Sequence, residues 1–126
     1  LDLLGEKGIK KAIVTSSKKE KMEHLRRQRP ELWDRVELIV DADCVTRSKP
    51  NPQGYLIAAG RLGVDPRRCV VVEDSLQGIR AGRAAGSFVV GLTGTFGREP
   101  LEGEPDVLLD CLDDMDLENI INALRQ

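Results

Sequence analysis

The amino-acid sequence predicts an α/β fold in which a parallel β-sheet is flanked by helices. Short apolar runs alternate with helical segments along almost the whole chain. Consecutive Val and Ile residues, as at positions 70–72, suit strands covered on both faces, which is the situation in a parallel sheet. An alternation of strands and helices favours right-handed crossovers between parallel neighbours. A chain of 126 residues has the length for one such domain with a modest core.

Most of the predicted elements have a recognisable start or stop signal. Ser17-Lys-Lys-Glu20 has capping-box spacing and opens the first helix, which Pro30 stops. Gly63 stands where a helix C-cap is expected, and Asp116 caps the last helix. The predicted elements are, in chain order, strand 11–15, helix 17–29, strand 36–40, helix 53–62, strand 69–72, helix 76–85, strand 87–92, strand 106–109 and a helix from residue 116.

Two neighbouring carboxylates, Glu73 and Asp74, directly follow the predicted strand 69–72. Ligand sites in parallel sheets lie just beyond the carboxyl ends of the strands. Adjacent carboxylates repel each other and are costly to bury, and a hard cation such as Mg²⁺ relieves both penalties. The alternative is that Asp74 or Ser75 only caps the helix that follows. Taken alone, the pattern leaves both interpretations open.

Two further polar segments follow predicted strands. Thr15-Ser16-Ser17 ends the first strand and starts a helix, where a hydroxyl and backbone N–H groups favour a phosphate. Lys49 lies in a loop stiffened by Pro50 and Pro52 and offers a compact positive charge. Taken singly, Ser17 is explained as a helix cap and Lys49 as an ordinary loop lysine. Together with the acid pair, these groups describe phosphoryl-transfer chemistry.

In this order and spacing the residues resemble the haloacid dehalogenase-like (HAD) hydrolase superfamily, in the branch of beta-phosphoglucomutase, phosphoglycolate phosphatase and the sugar phosphatases. Residues 13–17 are similar to the second motif of that family, the loop around Lys49 to the third, and residues 72–82 to the fourth. The resemblance covers nearly the whole chain. It implies that residues 1–126 form part of a core domain with a Rossmann-like parallel sheet, carrying motifs II, III and IV.

The resemblance also implies a role for each site residue. Thr15, helped by the Ser16 amide, would hold the transferring phosphoryl group, and Lys49 would neutralise charge on the nucleophile and the phosphate. Glu73 and Asp74 would bind Mg²⁺. The implied protein is a Mg²⁺-dependent phosphatase or phosphomutase that acts on a small phosphorylated metabolite through an aspartyl phosphate, with Thr15 and Lys49 as catalytic residues.

The first motif of the family is a strand that ends in Asp-x-Asp, whose first Asp is the nucleophile. The sequence begins after that motif and after the helical cap domain that usually follows it. We therefore expect a fragment, a truncated variant, or one half of a two-part assembly that the N-terminal half or a second copy completes. A central strand would then be absent between the strands that end at Thr15 and Glu73, which leaves unpaired edges or a gap.

Without the nucleophile, the chain alone is expected to be inactive. The alternative is a truncated, non-catalytic member of the superfamily that binds phosphate or a partner protein. One segment imitates the first motif, because Asp41-Ala-Asp43 follows an apolar run. In the resembling families, however, this segment precedes the lysine loop, and the acid that matches Asp43 is not the nucleophile. We interpret Asp41 and Asp43 as unrelated to catalysis.

Composition argues against several other classes of protein. Residues 1–29 carry nine Lys or Arg and four acidic residues, whereas residues 99–126 carry one Arg and nine acidic residues. The basic segment has no interleaved aromatic residues and no nucleic-acid motif, so no nucleic-acid partner is expected. No apolar stretch has the length of a membrane span, and the three cysteines lack zinc or disulfide spacing. We expect a cytoplasmic protein.

Two other folds, a receiver-like signalling domain and a dinucleotide-binding domain, also match the sequence poorly. A receiver-like domain uses acids, Thr and Lys at strand ends, but there the acid pair comes first in the chain and Lys last, opposite to the order here. The glycines at 91, 94 and 97 have the wrong spacing for a dinucleotide-binding fingerprint.

Overall fold

The structure, a computed structural model, describes residues 10–15, 18–28, 30, 36–94, 97–110 and 119–120. The main elements within these ranges are five strands and three α-helices, so the predicted α/β class is confirmed. Short 3₁₀ helices lie at Ala42–Cys44, Pro66–Arg68 and Glu99–Leu101. The main elements are β1 (Ala12–Val14), α1 (Lys19–Gln28), β2 (Leu38–Val40), α2 (Gln53–Leu62), β3 (Val70–Glu73), α3 (Leu76–Ala84), β4 (Phe88–Leu92) and β5 (Val107–Leu109).

The strands form two parallel sheets. One sheet contains β1 and β2, with Ala12 opposite Leu38, and the other has the order β3-β4-β5, with Val71 opposite Val89. Within the ranges that the structure describes, no strand pairing joins the two sheets. The break separates β1 from β3, which is where the sequence led us to expect a gap.

Helix α3 packs closely on the second sheet because its sequence is rich in small residues. A Cβ atom at Gly82 would stand 2.9 Å from Cγ2 of Val89 and 3.0 Å from Cγ1 of Val71, so the helix backbone lies almost in contact with the strands. The buried core between them is formed by Val71, Ile79, Val89 and Leu101, with Tyr55, Leu76 and Leu108 packed against it.

Helix α2 packs beside β1 and ends as the sequence predicts. A Cβ atom at Gly54 would stand 2.9 Å from Cγ1 of Val14, so the first turn of α2 lies against the last residue of β1. Gly63 has a φ of 73° and its N–H bonds to backbone carbonyls of the last turn, which is the left-handed C-cap that glycine favours. The start of α2 is thereby held at the carboxyl end of β1.

The Val run of β3 was expected to be covered on both faces, but Val72 is 38% exposed because it lines a cavity between the two sheets. The cap at Ser17 and nearly all of the last predicted helix lie outside the described residues; residues 119 and 120 are helical. None of the helices in the described part of the chain combines the length and the apolar character needed to cross a membrane.

Candidate functional site

A cavity of 690 Å³ opens where β1 and β3 end. The parallel strands direct their carboxyl ends to this side of the molecule, and the loop before α2 reaches it as well. Thr15, Lys49, Glu73 and Asp74, four of the five residues predicted for the site, all contribute to its lining. The fifth, Ser16, lies outside the described residues. The remaining lining residues are Val14, Ser48, Val72, Ser75, Gln77 and Leu92.

Thr15 is fixed at the cavity by the pairing of β1 with β2. Its backbone N–H donates to the carbonyl oxygen of Val40 at 2.9 Å, so the parallel ladder continues one residue past the end of β1. Thr15 is half-buried. The strand therefore delivers this residue to the edge of the cavity with a constrained backbone.

The loop that carries Lys49 is held by the first residue of α2. The side-chain carbonyl of Gln53 accepts hydrogen bonds from the backbone N–H groups of Thr46, at 2.8 Å, and Arg47, at 2.7 Å. The backbone N–H of Gln53 in turn donates to Oδ1 of Asn51 at 3.0 Å. Gln53 thus replaces the missing backbone partners of the loop and fixes the segment from which Lys49 projects.

Lys49 connects the two sheets. Its Nζ donates to the carbonyl oxygen of Val14 at 3.2 Å and forms an ion pair with Oε1 of Glu73. Only 16% of the Lys49 side chain and 10% of the Glu73 side chain are exposed. Because the pair is largely withdrawn from water, each charge depends on the other for compensation.

Tyr55 completes the environment of Glu73. Its hydroxyl donates to the same oxygen, Oε1, that Lys49 contacts, and the centroid of its ring lies 5.1 Å from Nζ of Lys49. Burial raises the pKa of the Tyr55 phenol well above its ordinary value, and the negative charge of Glu73 and the hydrogen bond to it raise that pKa further. Tyr55 therefore stays protonated and acts as a donor.

The cap of α3 belongs to Ser75. Its Oγ accepts a hydrogen bond from the N–H of Gly78 at 3.1 Å, which is the usual N-cap contact. Asp74 is exposed and lines the cavity. The residue after the acid pair makes the cap and both acids border the cavity, whereas the cation site at the acid pair stays a prediction.

Asp41 and Asp43 have structural contacts elsewhere. Asp41 caps the 3₁₀ helix after β2, with its Oδ1 accepting from the N–H of Asp43 at 3.0 Å. Oδ2 of Asp43 accepts from the N–H of Lys19, the first residue of α1, at 3.0 Å. Neither carboxylate is among the residues that line the cavity. These contacts agree with the interpretation that the Asp-x-Asp pattern is unrelated to catalysis.

The donor set fits an open magnesium site better than a closed metal cage. The described residues contain no group of three or more His, Cys, Asp and Glu side chains that could hold a metal. Mg²⁺ commonly takes one or two carboxylates, keeps several waters and leaves positions for substrate phosphate. Glu73 and Asp74 supply such a pair at the edge of the cavity.

Three residues of the site were not predicted from the sequence: Gln53, Tyr55 and Gly78. Tyr55 is the only tyrosine of the chain and follows Lys49 by six residues, which is a signal that could have been noticed. A Cβ atom at Gly78 would overlap with the carboxylate of Glu73, so only glycine leaves the space that this carboxylate occupies. Gly78 lies inside the segment that resembles the fourth motif, but nothing in the sequence shows what it faces.

Comparison with known proteins gives this site a family context. A family model described as a haloacid dehalogenase-like hydrolase matches residues 1–86. Among curated proteins, the chain is similar to validoxylamine A 7′-phosphate phosphatase of Streptomyces hygroscopicus subsp. limoneus. The two are 46% identical over 77 residues, which are 61% of this chain and 36% of the relative.

Solved structures share the fold over most of the chain. CbbY from Rhodobacter sphaeroides, solved in complex with phosphate, has a TM-score of 0.76 and 32% identity over 85% of this chain and 48% of its own. A beta-phosphoglucomutase from Clostridium difficile has a TM-score of 0.80 and 25% identity over 97% of this chain and 53% of its own. The chain thus spans about half of these two solved structures. Since the family model covers more than half of the sequence, the chain belongs to the haloacid dehalogenase-like hydrolase family.

Proposed function

We propose that this chain carries the phosphate- and metal-binding part of a Mg²⁺-dependent phosphatase or phosphomutase that acts on a small phosphorylated metabolite. One observation carries the proposal: Thr15, Lys49, Glu73 and Asp74 border a single cavity where β1 and β3 end. The relatives support it, because one is named a phosphatase of a phosphorylated compound, one a phosphoglucomutase, and one was solved with phosphate.

The proposed anion site lies between Thr15 and Lys49. The Thr15 hydroxyl, with the Ser16 amide, holds the phosphoryl oxygens, and the Lys49 ammonium offsets their negative charge. Because the surrounding protein shields the Lys49 side chain from most solvent, its charge acts on the phosphate with less screening than that of a surface lysine. These groups bind and orient the phosphoryl group and need not exchange protons with it.

The proposed metal site lies at Glu73 and Asp74. Mg²⁺ held there would offset charge on the phosphoryl oxygens as the bond to the leaving group breaks. Glu73 is oriented by Lys49 and Tyr55, whereas Asp74 is exposed at the rim of the cavity. Asp74 is therefore the carboxylate that is more accessible to an incoming ion.

The nucleophile of the proposed reaction is an aspartate supplied from outside this sequence, as the resemblance implies. Its carboxylate oxygen would attack phosphorus, the bond between phosphorus and the substrate oxygen would break, and a proton from a second aspartate would neutralise the leaving oxygen. Water then cleaves the aspartyl phosphate in a phosphatase, or a sugar hydroxyl accepts the phosphoryl group in a phosphomutase. The isolated chain would perform neither step.

The break between the two sheets suggests how the site is completed. Lys49 reaches from the end of β1 to the end of β3, with contacts to Val14 and Glu73. A strand inserted between β1 and β3 would pair with both and bring its last residues to the cavity. We propose that this strand comes from the N-terminal half of the protein or from a second copy.

Calorimetric titration of the isolated chain with Mg²⁺ and with inorganic phosphate tests the binding part of the proposal. Asp74→Asn is expected to weaken Mg²⁺ binding, and Lys49→Met is expected to weaken phosphate binding. Arg80→Met, which removes an exposed cation that pairs with Glu104, is the control and should change neither. If the wild-type chain binds neither ion, the proposed site is wrong.

A p-nitrophenyl phosphate assay, together with intact-mass analysis of the purified sample, tests the rest. We expect no turnover by the isolated chain, and Mg²⁺-dependent turnover when a polypeptide with the Asp-x-Asp strand is present. Phosphate binding without turnover, even in the completed assembly, would favour the non-catalytic alternative.

A further inference from the structure

Tyr55 joins the two charged groups at the centre of the site. It lies in the first turn of α2, next to Gly54, which packs against the last residue of β1, and its side chain packs against the core formed by α3 and the second sheet. Its hydroxyl bonds to Glu73 and its ring faces the ammonium of Lys49. No other tyrosine is available in the chain to replace it.

The geometry points to Tyr55 as a positioning residue for Glu73 and Lys49, an inference that rests on the proposed function. Lys49 and Tyr55 both contact Oε1 of Glu73. With two donors on one oxygen, the carboxylate is held in one orientation. Its other oxygen, Oε2, lies beside the backbone of α3 at Gly78, so the helix limits the position of the carboxylate from that side.

Two parts of the Tyr55 side chain have separable effects. The hydroxyl acts on Glu73 and therefore on the metal, because donors that orient a metal-binding carboxylate raise its affinity for the ion. The ring acts on Lys49 through the attraction between a cation and an aromatic face, and therefore on the anion. Phenylalanine at this position removes the first effect and keeps the second, and leucine removes both.

Calorimetric titrations of the full chain test this separation. Tyr55→Phe is expected to raise the dissociation constant for Mg²⁺ about tenfold and to leave that for inorganic phosphate within about twofold. Tyr55→Leu is expected to weaken Mg²⁺ binding by a similar factor. It should also raise the dissociation constant for phosphate about threefold or more. If the hydroxyl had only a structural role, Tyr55→Phe would lower the free energy of unfolding without this selective loss of Mg²⁺ affinity.

Ser87→Ala is the matched control, since it also removes a buried hydroxyl that donates one hydrogen bond, to the carbonyl of Pro66 at 2.7 Å. It should lower stability and leave both affinities unchanged. Circular dichroism and urea unfolding establish that each variant is folded. If Tyr55→Leu does not fold, the conservative Tyr55→Phe still decides the role of the hydroxyl.

The outcomes separate this inference from the proposed function. A wild-type chain that binds both ions and a Tyr55→Phe variant that binds Mg²⁺ equally well would overturn the positioning role alone. Equal weakening of Mg²⁺ by Tyr55→Phe and Ser87→Ala would overturn it too, because the loss would then follow stability. A wild-type chain that binds neither ion would overturn both, since no ion would be left to position.

Discussion

The carboxylate of Glu73 occupies the space beside Gly78 where any other residue would carry its Cβ atom. A Cβ built on Gly78 would stand 2.6 Å from Oε1 of Glu73 and would overlap with Oε2. The end of β3 and the first turn of α3 are therefore adapted to each other at a single residue. This explains in physical terms why a glycine follows the acid pair at this distance in the chain.

We predict that Gly78→Ala displaces the Glu73 carboxylate and weakens Mg²⁺ binding at least about tenfold, as loss of ligand orientation does. Alanine normally stabilises a helix interior relative to glycine, by roughly 1 kcal/mol, so a loss of stability here would itself reveal the clash. Gly60→Ala in α2 is the control, because its Cβ would meet nothing within 4 Å. Equal Mg²⁺ affinity in Gly78→Ala and wild type would mean that Glu73 has other room to move.

The ion pair of Lys49 and Glu73 gives a second prediction. Lys49→Met leaves the Glu73 carboxylate largely buried without its cation, which should cost about 3 kcal/mol of unfolding free energy. Urea denaturation measures this loss. Arg80→Met should cost less than about 1 kcal/mol, because Arg80 and Glu104 form an ion pair in which 51% and 34% of the side chains are exposed.

A double-mutant cycle sharpens this prediction. Glu73→Gln removes the charge that Lys49→Met leaves unpaired, so the double variant should be more stable than the sum of the two single losses implies. Additive losses would show that the pair contributes no coupling, and the ion pair would then have no energetic role in joining the sheets.

Much of the fold could be predicted from the sequence, because local start and stop signals mark the ends of helices. Helix α2 has the predicted bounds because Pro52 precedes it and Gly63 ends it with a left-handed cap. Strand ends were less well predicted: β1 and β2 are shorter than the predicted strands 11–15 and 36–40. An apolar run records which residues prefer burial, whereas the strand ends where a neighbouring backbone ceases to pair.

Part of the site could also be predicted, because the topology of a parallel sheet brings the ends of its strands together. Thr15 and the acid pair follow strands, and the carboxyl ends of parallel strands meet at one edge. Tyr55 could not be assigned, because its contact with Glu73 depends on how α2 is placed against β1, which is set by the close approach of Gly54 to Val14. Helix placement is a property of packing, so the spacing of Tyr55 from Lys49 marks it as a neighbour of the lysine loop but does not show that it contacts Glu73.

Titration of Tyr55 gives a prediction for alkaline pH. In the unfolded chain the phenol has its ordinary pKa of 10.0, whereas in the folded protein burial and Glu73 raise the pKa. Above pH 10.0 the unfolded state releases a proton that the folded state keeps, so the unfolding free energy falls as pH rises, by up to about 1.4 kcal/mol per pH unit. Below the unfolded pKa this contribution is fully present.

Tyr55→Phe should not show this fall in unfolding free energy at alkaline pH. The difference in unfolding free energy between wild type and variant therefore separates the contribution of Tyr55 from that of other titrating groups. Because Tyr55 is the only tyrosine, the ultraviolet absorbance of tyrosinate should appear in the wild-type protein only as it unfolds. An ordinary tyrosinate titration in the folded protein would contradict the burial of this hydroxyl.

Asp41 and Asp43, the two acids that imitate a nucleophile motif, should contribute to stability and not to ligand binding. Asp43→Ala removes the acceptor for the N–H of Lys19 and should cost about 1 kcal/mol, as the loss of a helix cap does, because α1 then begins with an unpaired donor. Asp41→Asn keeps an oxygen that can accept from Asp43 and should have a smaller effect. Neither change should alter the affinity for phosphate or Mg²⁺, since neither residue lines the cavity. If the isolated chain hydrolyses p-nitrophenyl phosphate with Mg²⁺ and Asp41→Asn abolishes that activity, the Asp-x-Asp segment is catalytic and the assignment of the nucleophile to another polypeptide segment is wrong.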